Sequence, residues 1–289
     1  MVRFPLSLSL SVCVWQVKPA NSKYRITNGI WSDYTTMAVR TGGPGPAGLS
    51  VIIVPLKNHP GVTMRRLNVA GQKTGGTTYI ELDDVKVPVS NLIGSEGQGM
   101  RIIMTNFNHE RLTIAVGATR QARVALSTAF QYCLKREAFS KTLMDQPVVR
   151  HRLAKAGAEL ETMHAWIEQI LYQLCHMSKE EGDMRLGGIT ALAKAKSAMV
   201  LNECAQCAVL LFGGNGFTAS GQGELAEGMF YSSLPCSFYE QFTDDAAIYR
   251  EVPGLRIPGG SEDVLLDLSV RQLVKVYKLE EAKLGQSKI

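Results

Sequence analysis

The chain of 289 residues has no dense set of cysteines, no repeat period, no long uncharged apolar run and little excess of either charge. Thirty-one Lys and Arg against 26 Asp and Glu leave a net charge of +5, with no basic cluster, and this argues against a nucleic-acid partner. The longest charge-free apolar stretch, Phe4–Trp15, is about 12 residues, short of the roughly 20 that a helix needs to cross a bilayer. The six cysteines, at 13, 133, 175, 204, 207 and 236, are too scattered for a disulfide-stapled scaffold and fit a reducing compartment. Cys204 and Cys207 are spaced C-x-x-C, but no second Cys/His pair stands at zinc-like spacing. Their i, i+3 placement inside a helical pattern reads as packing, so no metal is expected. Proline is missing from 89 to 146 and again from 148 to 234, leaving long stretches free to be helical.

The residues that are present divide the chain in two. Residues 24–94 read as β structure: Tyr34–Arg40 and Leu49–Leu56 are runs rich in β-branched residues bounded by Gly and Pro, and Thr77–Leu82 alternates. After Gly94–Gly99 the apolar residues recur at helical spacing. One stripe is Ala115, Ala118, Ala122, Ala125, Leu126 and Ala129. A second is Leu153, Ala156, Leu160, Met163, Ile167, Ile170 and Leu174, and a third is Ala198, Leu201, Ala205, Ala208, Val209 and Phe212. A last helix is expected at about Asp263–Tyr277, after Pro258-Gly259-Gly260-Ser261. Long helices with short connections make a bundle, so the expected fold is α+β: a partial β domain over 23–97, then a four-helix-type bundle over 98–279 and a tail over 280–289. Two segments stand apart. Met1–Gln16 differs in character from the rest of the chain, and residues 1–22 are expected to be a foreign or disordered segment. Residues 228–247, aromatic and aperiodic, split a helical pattern and are expected to be an inserted loop.

Several segments, in their order and spacing over 23–279, resemble the acyl-CoA dehydrogenase family of flavoenzymes, in particular its fungal-type branch. They are Arg25-Ile26-Thr27-Asn28-Gly29, Asp83-Asp84-Val85-Lys86-Val87-Pro88, Gly94–Met100, Glu110-Arg111-Leu112, Arg136-Glu137-Ala138-Phe139, Gln146, Phe212–Phe217 and Pro258–Asp263. The family has an N-terminal helical domain, a middle β domain and a C-terminal bundle. By this resemblance the chain begins inside the middle domain.

The resemblance implies FAD-dependent oxidation of an acyl-CoA thioester to its α,β-enoyl form. A carboxylate base removes the α-proton while a hydride leaves the β-carbon for the flavin. Such a base needs a dry pocket in which its proton affinity can approach the working pH. Family members carry it in the loop before the last helix or in a Glu-Arg-Leu pattern of the first bundle helix. Here the loop position is Gly259 and the helix pattern is Glu110-Arg111-Leu112, so Glu110 is the expected base. Phe107, Glu110, Arg111 and Ile114 share a helix face at i, i+3, i+4 and i+7. Phe107, Asn108 and Arg111 match family positions that contact the pantetheine and nucleotide parts of CoA, a role that the Arg fork suits.

For the flavin, Thr27 matches a Trp-Ile-Thr pattern in which Thr bonds the ring, with Arg25 standing where the family has Trp. Arg136 and Phe139 match Arg-x-x-Phe-Gly, which clasps the pyrophosphate and adenine side of a neighbouring subunit's FAD, with Ser140 in the Gly position. Gln146, Gly213, Gly214 and Gly216 match further contacts to that FAD, where glycine lets a ligand approach the backbone. The resemblance also implies a homo-oligomer, and an electron-transfer flavoprotein or oxygen as electron acceptor. Ser287-Lys288-Ile289 is a near variant of the Ser-Lys-Leu peroxisomal address, with mitochondrion and cytoplasm as alternatives. Two rival readings are an inactive fragment or paralogue, and a DNA-associated flavoprotein of the same superfamily.

Overall fold

The computed structural model describes residues 14–17, 24–69, 73–218 and 248–286. Residues 228–247 and the Ser287–Ile289 address lie outside them, as do 1–13. The chain forms two units, Met1–Phe107 and Asn108–Ile289.

The first unit is antiparallel β. Strands β3 (Tyr34–Arg40) and β4 (Leu49–Pro55) pair along their whole length, Tyr34 opposite Pro55 and Arg40 opposite Leu49, and β8 (Leu92–Ile93) adds to β4. Strand β6 (Thr78–Leu82) lies between β2 (Tyr24–Ile26) and β5 (Val62–Arg66). Alternation sets which side chains turn inward: Met37 and Val39 from β3, Ile80 and Leu82 from β6, and Val85 and Val87 from β7 (Val85–Pro88) share one core with Ile52, Val54 and Leu56. Strand β1 (Val14–Val17), inside the stretch that reads as foreign, pairs antiparallel with β7.

The second unit is helical, as the three stripes require. Helix α1 (Gly99–Lys135) enters it from the first unit. Helices α2 (Pro147–His176), α4 (Gly187–Phe212) and α6 (Glu262–Gln286) complete four long helices, joined by the short α3 (Lys179–Arg185) and by α5 (Ile248–Arg256). Every residue of the α1 stripe is buried, and five of its six positions are alanine, which lets neighbouring helices approach closely. Helix α2 begins where Pro147 can occupy the first turn without losing a hydrogen bond, and its stripe is buried from Ala156 to Ile170. Helix α4 is buried on most sides, which is why it lacks a polar face despite its length. Cys204 is buried in it, and burial pushes its thiol up to about 12; Cys133 and Cys207 are pushed up by the same cause. These thiols are packing groups, as the C-x-x-C spacing inside a helix predicts.

Candidate active site

Between α5 and α6 the chain makes a five-residue turn, Ile257-Pro258-Gly259-Gly260-Ser261. Gly259 has φ +68° and Gly260 φ +116°, conformations that a side chain at either position would strain. The turn is clipped at its base by a fork: Arg256 Nε donates to Glu262 Oε1 at 2.5 Å and Nη2 to Oε2 at 2.7 Å. Two cations from other helices meet its carbonyls. Arg111 of α1, buried, donates from Nε to the Gly259 oxygen at 2.9 Å. Lys194 of α4 has no exposed surface, and its Nζ donates to the oxygens of Arg256 at 2.8 Å and Gly260 at 2.7 Å.

Glu110 precedes Arg111 and is half-buried. Its charge acts on both cations, opposing the burial that lowers the proton affinity of Arg111 and pushes Lys194 down to about 8. A Cβ built on Gly259 would lie 3.2 Å from Ile114 Cδ1 and 3.4 Å from Arg111 Cγ, so this glycine rests on the turn of α1 that starts at Glu110. Of the two possible base positions, 259 thus packs on Arg111 and Ile114, the residues next to and one turn beyond 110. Only the helix position has a carboxylate.

The other expected ligand contacts are spread over both units. Phe107 and Asn108 are half-buried, and the Asn108 amide lies against Gly187 at the start of α4. Arg111, matched with CoA contacts in the sequence, here binds the turn. Thr27 belongs to the first unit and is exposed, next to Asn28 with φ 62°. Arg25 faces Tyr79 across the β2–β6 pair, and Arg65 of β5 stacks on the same ring at 5.3 Å.

The remaining candidates gather at the far end of the bundle. Twenty-six residues of helix path separate Glu110 from Arg136, about 39 Å. Arg136 is exposed and starts the hairpin of β9 (Glu137–Ala138) and β10 (Lys141–Thr142), whose two turn residues are Phe139 (φ 56°) and Ser140 (φ 61°). Two left-handed residues are what a tight hairpin turn demands, and neither is glycine, so the family's Gly has been replaced where it would be least strained. Phe139 is 93% exposed. The 3₁₀ turn Gly213–Phe217 lies at the same end, tied to α1 by Asn215 Nδ2 donating to the Tyr132 hydroxyl at 3.3 Å and by the Tyr132–Phe212 ring contact. Its glycines differ. Gly216 is required by packing, since a Cβ there would run into the Val209 carbonyl. Gly213 caps α4 with φ +58°. Gly214 has no positive φ, and no described residue comes within 4 Å of where its Cβ would be, so nothing among the described residues demands a glycine there. Gln146, half-buried, is the N-cap of α2.

Lys194 is a site residue that sequence reasoning misses. A signal for it exists: it stands four residues before Ala198 and seven before Leu201, on the apolar stripe of α4, where a solvated lysine has no place.

A family model described as "Acyl-CoA dehydrogenase, C-terminal domain" matches residues 97–274, more than half the chain. The chain belongs to the acyl-CoA dehydrogenase family. It is 74% identical over 269 residues to the acyl-CoA dehydrogenase apdG of Emericella nidulans, a match that covers 93% of this chain and 57% of that protein. It is 29% identical to a glutaryl-CoA dehydrogenase of Desulfococcus multivorans over 74% of this chain and 53% of that one. Among solved structures, a putative acyl-CoA dehydrogenase from Mycobacterium smegmatis superposes with a TM-score of 0.77 at 27% identity, covering 94% of this chain and 63% of that one. The chain therefore spans somewhat over half the length of these acyl-CoA dehydrogenase relatives.

Proposed function

We propose that this chain supplies the base-bearing part of an FAD-dependent acyl-CoA dehydrogenase, with Glu110 removing the α-proton of an acyl-CoA thioester. The observation that carries this reading is a carboxylate at 110 beside Arg111, the residue on which a glycine, and not a carboxylate, packs from position 259. Glu110 is held on a 37-residue helix, so its position is set by a rigid element. Flanking it, Arg111 is buried and bonds the turn. The neighbouring Gly259 packs directly on Arg111 and Ile114, where a side chain would crowd them.

The family uses FAD, which when bound accepts the hydride from the substrate's β-carbon. The residues at the far end of the bundle fit its diphosphate and adenine. The Arg136 fork suits a pyrophosphate, Phe139 offers an exposed ring for stacking, and Gly214 leaves the backbone open to close approach. About 39 Å of helix divides these residues from Glu110, so the flavin they hold is one that a second copy of the chain uses. A homo-oligomer follows from this reading, with an electron-transfer flavoprotein or oxygen taking the electrons.

The test is the visible spectrum of the purified chain with FAD, before and after a panel of acyl-CoAs. A bound flavin that bleaches with one of them supports the proposal. A protein that stays colourless after FAD is added would contradict it.

A further inference from the structure

The buried lysine of α4 has a use that packing does not explain. A fully buried ammonium is costly unless its hydrogen bonds are met, and an apolar side chain of similar length usually serves a core as well or better. Lys194 nonetheless occupies the stripe of α4 with no exposed surface. Its two described bonds go to the last carbonyl of α5, at Arg256, and to Gly260 in the turn, so one amine spans the turn from end to end. Between those two carbonyls stands that of Gly259, met by Arg111. Backbone at φ +68° and +116° has no regular ladder to hold it, and these carbonyls would otherwise have to face water or each other.

We propose that Lys194 is a positioning residue: by bridging the Arg256 and Gly260 carbonyls it fixes the Gly259 turn against the part of α1 that carries Glu110. This rests on Glu110 being the base. The turn packs on Arg111 and Ile114, next to and one turn beyond Glu110, so its placement bears on the surroundings of that carboxylate. The charged groups around the amine are Arg111 and Glu110 from α1 and Glu262 from α6, the last shared with Arg256.

Hydrogen–deuterium exchange on the whole chain tests it without any assay of turnover. The reporters are the Ile257 amide, bonded to Pro253, and the Leu265 amide, bonded to Ser261, on either side of the turn. In Lys194→Met, peptides covering 255–266 should exchange at least tenfold faster, while a peptide from the middle of α2 changes less than twofold and the midpoint of denaturation is kept or raised. A purely structural lysine would move the turn and the bundle together. That outcome, a variant that does not fold, or an unchanged turn in a folded variant would each overturn the proposal. In the unaltered chain, opening that exposes Lys194 takes up a proton above about pH 8. Protection of the turn should therefore rise with pH from 8 toward 10.5, by up to tenfold per unit, and this rise should be absent in Lys194→Met. A flat wild-type profile contradicts the proposal even if the variant cannot be made. Flavin bleaching that survives Glu110→Gln with the turn still protected would instead count against Glu110 as the base.

Discussion

The two ends of the bundle are built on opposite plans. At the Glu110 end the chain closes on itself: the carbonyls of Arg256, Gly259 and Gly260 are met by Lys194 and Arg111, the base of the turn is clipped by Arg256 and Glu262, and the glycine at 259 is demanded by its own φ. At the Arg136 end the features point outward. Phe139 is held exposed by a left-handed turn, Phe217 is 89% exposed, and no described residue requires a glycine at 214. A group that must hold a proton acceptor in place needs pre-set, desolvated surroundings, whereas a surface that receives a ligand must be left unfilled. Among the described residues, one end is closed by its own hydrogen bonds and the other is left open.

Glycine substitutions break this comparison most sharply. Gly216→Ala pushes a methyl into the Val209 carbonyl and should destabilise the bundle by about 1–3 kcal/mol in urea denaturation. Gly259→Ala should cost about 1–2 kcal/mol through its left-handed φ, and for the same reason a Glu110→Gly, Gly259→Glu double variant should not recover activity. Moving the base to the turn would need a backbone that residue 259 does not have.

The pH dependence of stability sharpens the buried end. Lys194 titrates at about 8 in the fold, below its ordinary 10.5, because burial disfavours its charge. Between those values the unfolded chain holds the extra proton on this group, so the contribution of Lys194 to stability rises with pH. Wild type should gain on Lys194→Met by at most about 1.4 kcal/mol per pH unit above pH 8, and the two should run parallel below it. Equilibrium denaturation from pH 7 to 10 reads this directly. The smallest effects belong to surface and open positions. Arg123→Ala, which removes the exposed pair with Glu161, should cost about 0.2–1 kcal/mol. Gly214→Ala should leave stability unchanged while weakening FAD retention, which separates a ligand-facing glycine from the structural ones beside it.

Much of the helical unit is legible in the sequence because its stripes are long and periodic: the Ala115–Ala129 and Ala156–Ile170 positions are the ones that are buried. The last helix continues to Gln286, past the expected end near Tyr277, since no Gly or Pro halts it before Gly285. The packing of Gly259 on the α1 turn after Glu110 is legible only through resemblance, as nearly 150 residues lie between them and no local pattern links them. Lys194 escapes a reading that counts it as charge rather than as an exception on an apolar face. The commitment of Arg111 to the Gly259 carbonyl is not legible at all, because a side chain to backbone bond over such a separation has no sequence period to announce it.

The most direct test of the account is the rate of acyl-CoA-induced flavin bleaching in Glu110→Gln against the wild type, at matched FAD content. The glutamine keeps the size of the side chain and removes its proton affinity. The account predicts bleaching slower by about 100- to 10,000-fold with FAD and acyl-CoA still bound. Bleaching at close to the wild-type rate would place the base elsewhere and contradict it.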